Sequence, residues 1–316
     1  MGTIFSQATD PRISIAGFSG NRAAAISYTF DDGLRDQYTV AIPMFNELGL
    51  KATFFIIPGR VVATPEEGER IKNKKRAWGG ISWPELKEMA EQGHEIGNHT
   101  WSHPNLTKLT AAEVEEQFSK ADQSIQEHLG ILPLTIAFPF SAQTPEIEAL
   151  ALKNHLAYRA YQTSISGQST VENLNTWADK LVRDKKWGVI MGHGIAYGYA
   201  ALTDPEILRE HLKYAKSHEA DIWIDTFAHI AAYKKQHDNA EHTVSEKADG
   251  LTLTLKSKLT PPLPNTPLTV LIEGIRPKSA EATRNGISLS VKIKGNTLQI
   301  EAEPSPAPVS VTWKVL

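Results

Sequence analysis

The chain contains no cysteine. That excludes disulfides and thiolate ligands, so a bound metal has to be held by nitrogen and oxygen donors. No run approaches the roughly 18 apolar residues of a membrane span. The first residues also lack the basic start and apolar stretch of a signal peptide. Basic charge is not in excess: Lys and Arg number 33 against 36 Asp and Glu, for a net charge of -3. No basic stripe interleaves with aromatics, which argues against nucleic-acid binding. The densest basic run, Lys72-Asn73-Lys74-Lys75-Arg76, reads as a solvated loop. Met1-Gly2 with Ser6 formally fits a myristoylation pattern, but a start codon placed before a truncated mature chain is the simpler reading.

The 316 residues are 41% hydrophobic and 22% charged, ordinary for a globular protein. That length suits one α/β domain of about 200–250 residues plus a smaller module. Seven short apolar or β-branched runs, at 24–30, 52–57, 94–99, 134–138, 157–161, 188–192 and 221–226, predict strands. Helical spacing lies between them. Residues 40–50 place their apolar side chains mostly on one face. Residues 83–92 follow Ser82 as N-cap and stop at Gly93. Residues 111–129 follow Thr110, with Glu113 completing a capping box. Residues 204–217 open on Asp204 and Pro205.

Strands alternating with helices imply βαβ units and a mostly parallel sheet; seven strands suit a closed or nearly closed barrel better than a short open sheet, with an open doubly wound sheet as the alternative. No glycine fingerprint follows the first strand, so a dinucleotide site is not expected. Residues 237–250 read as a polar linker. Beyond them 251–255, 268–272, 287–293, 297–302 and 309–315 predict strands, and Pro261, Pro262, Pro264 and Pro267 break any helix. The expected organisation is a distorted (β/α) barrel of about seven strands over 1–240, then a small all-β sandwich-like module over 241–316. For that module a structural role is favoured over carbohydrate binding.

Three groups of ionisable residues stand at strand ends. The first strand runs into Asp31-Asp32-Gly33, a pair that alone reads as a turn. The third runs into His99-Thr100-Trp101-Ser102-His103, and histidines four apart can meet on one side of a helical turn. The sixth delivers His193, which alone could be a hydrogen-bonded core residue. All three fall at the C-terminal ends of parallel strands, where barrels and open α/β sheets build their sites. One aspartate and two histidines make an oxygen–nitrogen metal site with open positions. Beside such an ion Asp31 can take a proton from water, and His193 can protonate a departing amine or alcohol.

These residues resemble the polysaccharide deacetylase family, also called the NodB-homology domain or carbohydrate esterase family four. The motif TFDDG stands here as Thr29–Gly33, H-(S/T)-x-x-H as His99–His103, and an apolar strand ending in histidine as 189–193. The resemblance spans roughly residues 20–235. It implies a divalent ion, most readily Zn²⁺ with Co²⁺, Ni²⁺ or Mn²⁺ as alternatives, held by Asp32, His99 and His103. It makes Asp31 the base and His193 the acid. It also implies release of acetate from an N- or O-acetylated oligo- or polysaccharide, and an exported location (periplasmic, cell-surface or secreted).

Two motifs depart. R-x-P-Y is replaced by Ala137-Phe138-Pro139-Phe140, which keeps the Phe140 backbone N–H as oxyanion donor but loses the arginine that orients the base. Arg159, near the end of the next expected strand, is the candidate replacement. D-x-x-D-W has no counterpart, and Asp179 near Trp177 is expected on a helix. Trp101 and Trp187 are candidate sugar-stacking residues, with simple packing the commoner role for such side chains. Competing readings are a non-catalytic carbohydrate-binding protein on the same fold, a C–N hydrolase acting on a small amide, and a non-haem iron oxygenase.

Overall fold

The protein is described here from a computed structural model, which covers residues 11–72, 80–202, 204–247, 249–261 and 263–315. Residues 73–76 of the basic run, and the Met1-Gly2 start, lie outside the described residues. The chain divides into two compact units. One holds 23–231, and the other gathers residues 11–22 with 232–315. The first strand, β1 (Arg12–Ile15), belongs to the second unit.

In the α/β unit every ladder between strands is parallel among the described residues. The strands are β2 (Ala24–Asp31), β3 (Thr53–Ile56), β4 (Glu95–Asn98), β5 (Thr135–Ile136), β6 (Ala157–Tyr158), β7 (Thr163–Ser164), β8 (Trp187–Gly192) and β9 (Ile222–Ile224). Their order is β6-β5-β4-β3-β2-β8-β7, with β9 also on β2. The distortion is concentrated at β2. β8 follows it from Ala25 to Phe30, whereas β9 pairs with Ala24–Ile26 and β3 with Thr29–Asp31. Among the described residues no ladder joins β6 to β7, so the barrel has a seam there.

All eight residues of β2 are buried, as expected for a central parallel strand covered on both faces. Ile26, Tyr28 and Phe30 pack outward with Met44, Phe45, Phe54 and Leu212. The inward set is small or polar: Ser27 accepts from the Trp187 indole (3.1 Å) and Thr29 from Arg159 (2.8 Å). Small inward side chains leave the barrel interior open to larger ones from other strands.

The helices are α1 (Ile42–Glu47), α2 (Pro65–Lys72), α3 (Trp83–Glu91), α4 (Ala111–Leu129), α5 (Pro145–Ala151), α6 (Val171–Asp184), α7 (Pro205–Ser217) and α8 (Phe227–Asp238). The capping boxes at Ser82/Glu85 and Thr110/Glu113 form, and α4 stops at Gly130 in a left-handed conformation (φ 73°). Helix α1 is shorter than the 40–50 pattern suggested, because Gln37–Ala41 winds as a π-helical turn.

The second unit has two antiparallel sheets. The first, β1-β12-β16-β15, comprises β1, β12 (Leu268–Glu273), β16 (Thr297–Ala302) and β15 (Val291–Lys294). The second, β10-β11-β17-β13-β14, comprises β10 (Ala240–Lys247), β11 (Gly250–Ser257), β17 (Val309–Val315), β13 (Pro277–Arg284) and β14 (Ile287–Ser288). Alternate residues such as Leu251, Leu253, Leu255, Val309 and Val311 are buried. Two expectations need correction. Residues 240–247 are not linker but an edge strand paired with β11 from Ala240↔Ser257 to Lys247↔Gly250. Because its side chains are mostly exposed, it carries no hydrophobic alternation. The single strand expected at 287–293 is split between β14 and β15, which lie in different sheets.

Candidate metal centre

The Asp31-Asp32-Gly33 turn serves both readings of the sequence. Asp31 ends β2 on the inward face shared with Thr29. Asp32 (φ 73°) and Gly33 (φ 67°) then take left-handed conformations that turn the chain at the barrel rim. His99 directly follows β4. The next residues form a loop rather than the helical turn the spacing allowed, with Thr100 at φ 66° and His103 at φ 64°. Asn98, fully buried, holds that loop. Its Oδ1 accepts from the Thr100 N–H (2.6 Å), and its Nδ2 donates to Asp122 Oδ1 (2.6 Å) and the Phe118 carbonyl (3.1 Å). The Thr100 hydroxyl accepts from the His103 N–H at 3.0 Å. His193 directly follows β8.

Three strand ends thereby place Asp31, Asp32, His99, His103 and His193 around one cleft of about 150 Å³. Phe138, Phe140, Ser141, Arg159, Gln162, Met191 and Tyr199 complete its walls. From Asp32 Oδ1, His103 Nε2 is 3.4 Å away and His99 Nε2 is 3.6 Å; His193 Nε2 lies 3.9 Å from Asp32 Oδ2. The His99 Nδ1–H donates to the Ala137 carbonyl (2.8 Å), which fixes the tautomer with the Nε2 lone pair facing Asp32.

Electrostatics separate the two aspartates. Burial pushes Asp31 up, but the Arg159 guanidinium, with His99 and His193, outweighs it and holds Asp31 below the usual carboxylate range. Arg159 Nη1 and Nη2 reach the two Asp31 oxygens at 2.7 and 2.5 Å. Asp32 is pushed up to about 7, first by burial and then by the adjacent Asp31 charge. Burial lowers His99 to about 4. Burial, then the charges of His99 and Arg60, lower His103 to about 3. His193 is also lowered, chiefly by burial.

These donors fit a small divalent ion. Both Asp32 oxygens are buried, and neither has a hydrogen-bond partner among the described residues. A carboxylate left bare in this way is costly unless something else satisfies it. Its neighbours are two imidazoles held neutral, the form that ligates metal. The ligand atoms of Asp32, His99 and His103 lie within 4.8 Å of one another. The 3.4 and 3.6 Å separations are too long for good hydrogen bonds. They match the spacing of about 3.4 Å between ligands sitting about 2.1 Å from a tetrahedral Zn²⁺.

Other expected residues fall in different places. Phe140, 66% exposed, stands on the cleft rim with left-handed backbone (φ 61°), its ring edge-on to His103 at 4.7 Å. Neither Trp101 nor Trp187 lines the cleft. Trp101 packs against Gly59 beneath the Lys120 ammonium, and Trp187 opens β8 and packs on Phe227. Asp179, on α6, accepts from the Tyr214 hydroxyl and lies outside the cleft lining. Asp36 and Gln37 were missed. Both are fully buried and hydrogen-bond to the turn that begins at His193, yet in the sequence they look like a helix start.

A parallel barrel with a carboxylate–imidazole donor set on its C-terminal rim defines an α/β barrel with a candidate metal site. Residues 19–160 match the family model described as polysaccharide deacetylase. The match covers a little under half of the chain, and within it the chain is similar to polysaccharide deacetylases. Over 160 residues it is 31% identical to a peptidoglycan-N-acetylglucosamine deacetylase of Bacillus cereus, covering 50% of this chain and 49% of that protein. Over 150 residues it is 28% identical to chitin deacetylase 1 of Cryptococcus neoformans, covering 47% and 28%. The chain spans 22–49% of the length of the curated relatives it matches. A polysaccharide deacetylase-like protein of Mycobacterium smegmatis shares the fold at a TM-score of 0.51 and 13% identity, over 69% of this chain and 92% of that one. Among the described residues no helix is long and apolar enough to cross a membrane.

Proposed function

We propose that the α/β unit hydrolyses acetyl groups from an acetylated oligo- or polysaccharide. The names of the peptidoglycan and chitin deacetylases favour an N-acetylated amino sugar. The observation that carries this reading is the bare Asp32 carboxylate beside two neutral imidazoles, in one cleft with an ionised Asp31 and with His193. Asp32, His99 and His103 would hold a divalent ion, Zn²⁺ before Co²⁺, Ni²⁺ or Mn²⁺, that supplies Lewis acidity toward water and the acyl carbonyl.

The remaining steps belong to side chains of the cleft. Asp31 takes the proton of the attacking water, and the Arg159 fork keeps it ionised and aimed. The Phe140 N–H donates to the developing oxyanion. His193 gives a proton to the departing amine or alcohol; burial makes its imidazolium a ready donor while shrinking the protonated fraction at neutral pH. A base, an acid and an oxyanion donor are more than a purely binding protein requires. The orienting arginine missing at Ala137 has a counterpart in Arg159. Export to a compartment holding such glycans is part of this proposal.

The test is acetate release from chitin oligomers, peptidoglycan and acetylated xylan by metal-stripped protein, with and without added Zn²⁺. Zn²⁺-dependent release from at least one glycan is expected. Binding without release would favour the binding-only reading.

A further inference from the structure

Parallel strands β2 and β8 stay in register up to the pair Phe30↔Gly192. One residue further on they carry Asp31 and His193, whose backbone carbonyls both reach toward Gln37. The Gln37 side-chain amide donates to the Asp31 carbonyl at 2.6 Å and to the His193 carbonyl at 3.0 Å. Two carbonyls cannot bond each other, whereas an NH₂ group carries two hydrogens and can serve both. The opposite orientation of the amide would set its oxygen against two acceptors, so only one orientation works. Its Oε1 meanwhile is buried and has no partner among the described residues. A side chain kept there in spite of that cost is kept for its two donors.

The preceding residue anchors the other side of the same turn. Asp36 Oδ2 accepts the backbone N–H groups of Ile195 (2.6 Å), Ala196 (2.8 Å) and Tyr197 (3.1 Å). Three successive N–H groups converging on one oxygen make an anion nest, filled here by a side chain of the protein. The turn is tight: a Cβ on Gly194 would lie 2.1 Å from the Tyr197 carbonyl oxygen. It also carries Tyr199 to the cleft wall, edge-on to His193 at 5.2 Å. Asp36 and Gln37 sit where the π-helical turn Gln37–Ala41 begins, and such turns are frequent at functional sites.

We propose that Gln37 is a positioning residue that acts as one extra rung between β2 and β8, fixing the spacing of Asp31 and His193, with Asp36 holding the turn behind His193. The proposal rests on the reading of Asp31 as base and His193 as acid. It concerns their placement and leaves the metal ligands untouched.

Gln37→Met keeps the length and volume of the side chain and removes both donors. Asp36→Asn keeps the shape but weakens the anchor, and serves as the second variant should the first fail to fold. Two readouts are compared with wild type. In crystal structures of the Zn²⁺-loaded proteins, the Asp31–His193 separation should change by about 1 Å, a displacement large enough to matter for proton transfer. In kinetics, kcat on N-acetylated chitin oligomers should fall about tenfold more than kcat on p-nitrophenyl acetate, whose leaving group needs no proton. KM and zinc stoichiometry should stay near wild type. Equal losses on the two substrates, or an unmoved Asp31–His193 pair, would overturn the clamp. If wild type releases no acetate from either substrate, the functional reading fails, and the crystallographic separation still decides whether Gln37 sets the spacing.

Discussion

Arg159 grips Asp31 with a two-pronged hydrogen bond, and both side chains are almost wholly buried. The arginine leaves β6 at the far end of the strand order and reaches across the barrel interior to the end of β2. A planar fork matches a carboxylate in a way an ammonium does not, so Arg159→Lys is not a mild change. Arg159→Ala leaves Asp31 buried without its partner. The expected cost is about 3–5 kcal/mol of stability and about 100-fold in kcat. Moving the charge back one strand, as Ala137→Arg combined with Arg159→Ala, should recover part of both. Urea denaturation and acetate-release rates measure the two effects. A stable, fully active Arg159→Ala would remove the fork from the mechanism.

Removing an imidazole from the donor set should weaken metal retention before it affects folding. His103→Ala, whose side chain is replaced at the cleft rim, should lower zinc affinity by more than about tenfold. Competition with a chelator followed by metal analysis gives the number. Wild-type stoichiometry and affinity in both His99→Ala and His103→Ala would contradict their assignment.

Zinc binding should strengthen as pH rises through about 7. Without a cation Asp32 titrates near 7, because burial and the adjacent Asp31 penalise its charge. Below that pH the proton must leave before an ion can enter, and affinity should drop about tenfold per unit. His99 and His103, lowered to about 4 and about 3, are already neutral and add no proton release near neutrality. Calorimetry in two buffers of different ionisation enthalpy counts the protons. A flat affinity from pH 6 to 8 would contradict this.

Acid should destabilise the α/β unit through His211, which is far from the cleft lining. With the ring neutral, as its buried position favours, its Nδ1–H donates to Asn175 Oδ1 (2.9 Å) and its Nε2 accepts from the Tyr28 hydroxyl (3.0 Å). Burial lowers its pKa from 6.5 to about 4. Between those values the unfolded chain binds a proton that the folded chain refuses, so stability falls as pH drops from 6.5 toward 4 and is fully present above 6.5. His211→Asn should flatten that slope by about 1.4 kcal/mol per pH unit, measured by denaturation across the window. An unchanged slope would assign the acid sensitivity elsewhere.

Asp31→Asn tests the base without emptying the ligand set. It should retain zinc and lose at least about 100-fold in kcat. Near wild-type turnover would exclude Asp31 from proton transfer.

What could be read from the sequence follows a physical divide. Asp31, Asp32, His99, His103 and His193 were legible because strand ends announce where side chains collect, even when 160 residues separate them. Helices α3, α4 and α7 were legible because caps are local chemistry. Helix α6 was anticipated only around Asp179 and without bounds, although Leu174, Ala178 and Leu181 form its buried stripe and Thr170 caps it. Arg159 could be guessed only from a gap elsewhere, since nothing near it says which carboxylate it will meet. Strand β10 escaped notice because a mostly exposed strand has no reason to alternate. Gln37 was invisible for a deeper reason: its partners are main-chain carbonyls, which every residue has.

The unladdered seam between β6 and β7 has a consequence for how such a cleft can change. Residues 159–162 cross it, and both Arg159 and Gln162 enter the cleft from that crossing. The Arg159 N–H still bonds the Ile136 carbonyl (2.9 Å), but chain beyond it that carries no inter-strand rungs can be lengthened, shortened or rewritten without shifting the frame of any neighbour. This wall is therefore where the barrel tolerates redesign, and an orienting arginine could come to stand there while the laddered strands leading into Asp32 and the histidines stayed fixed.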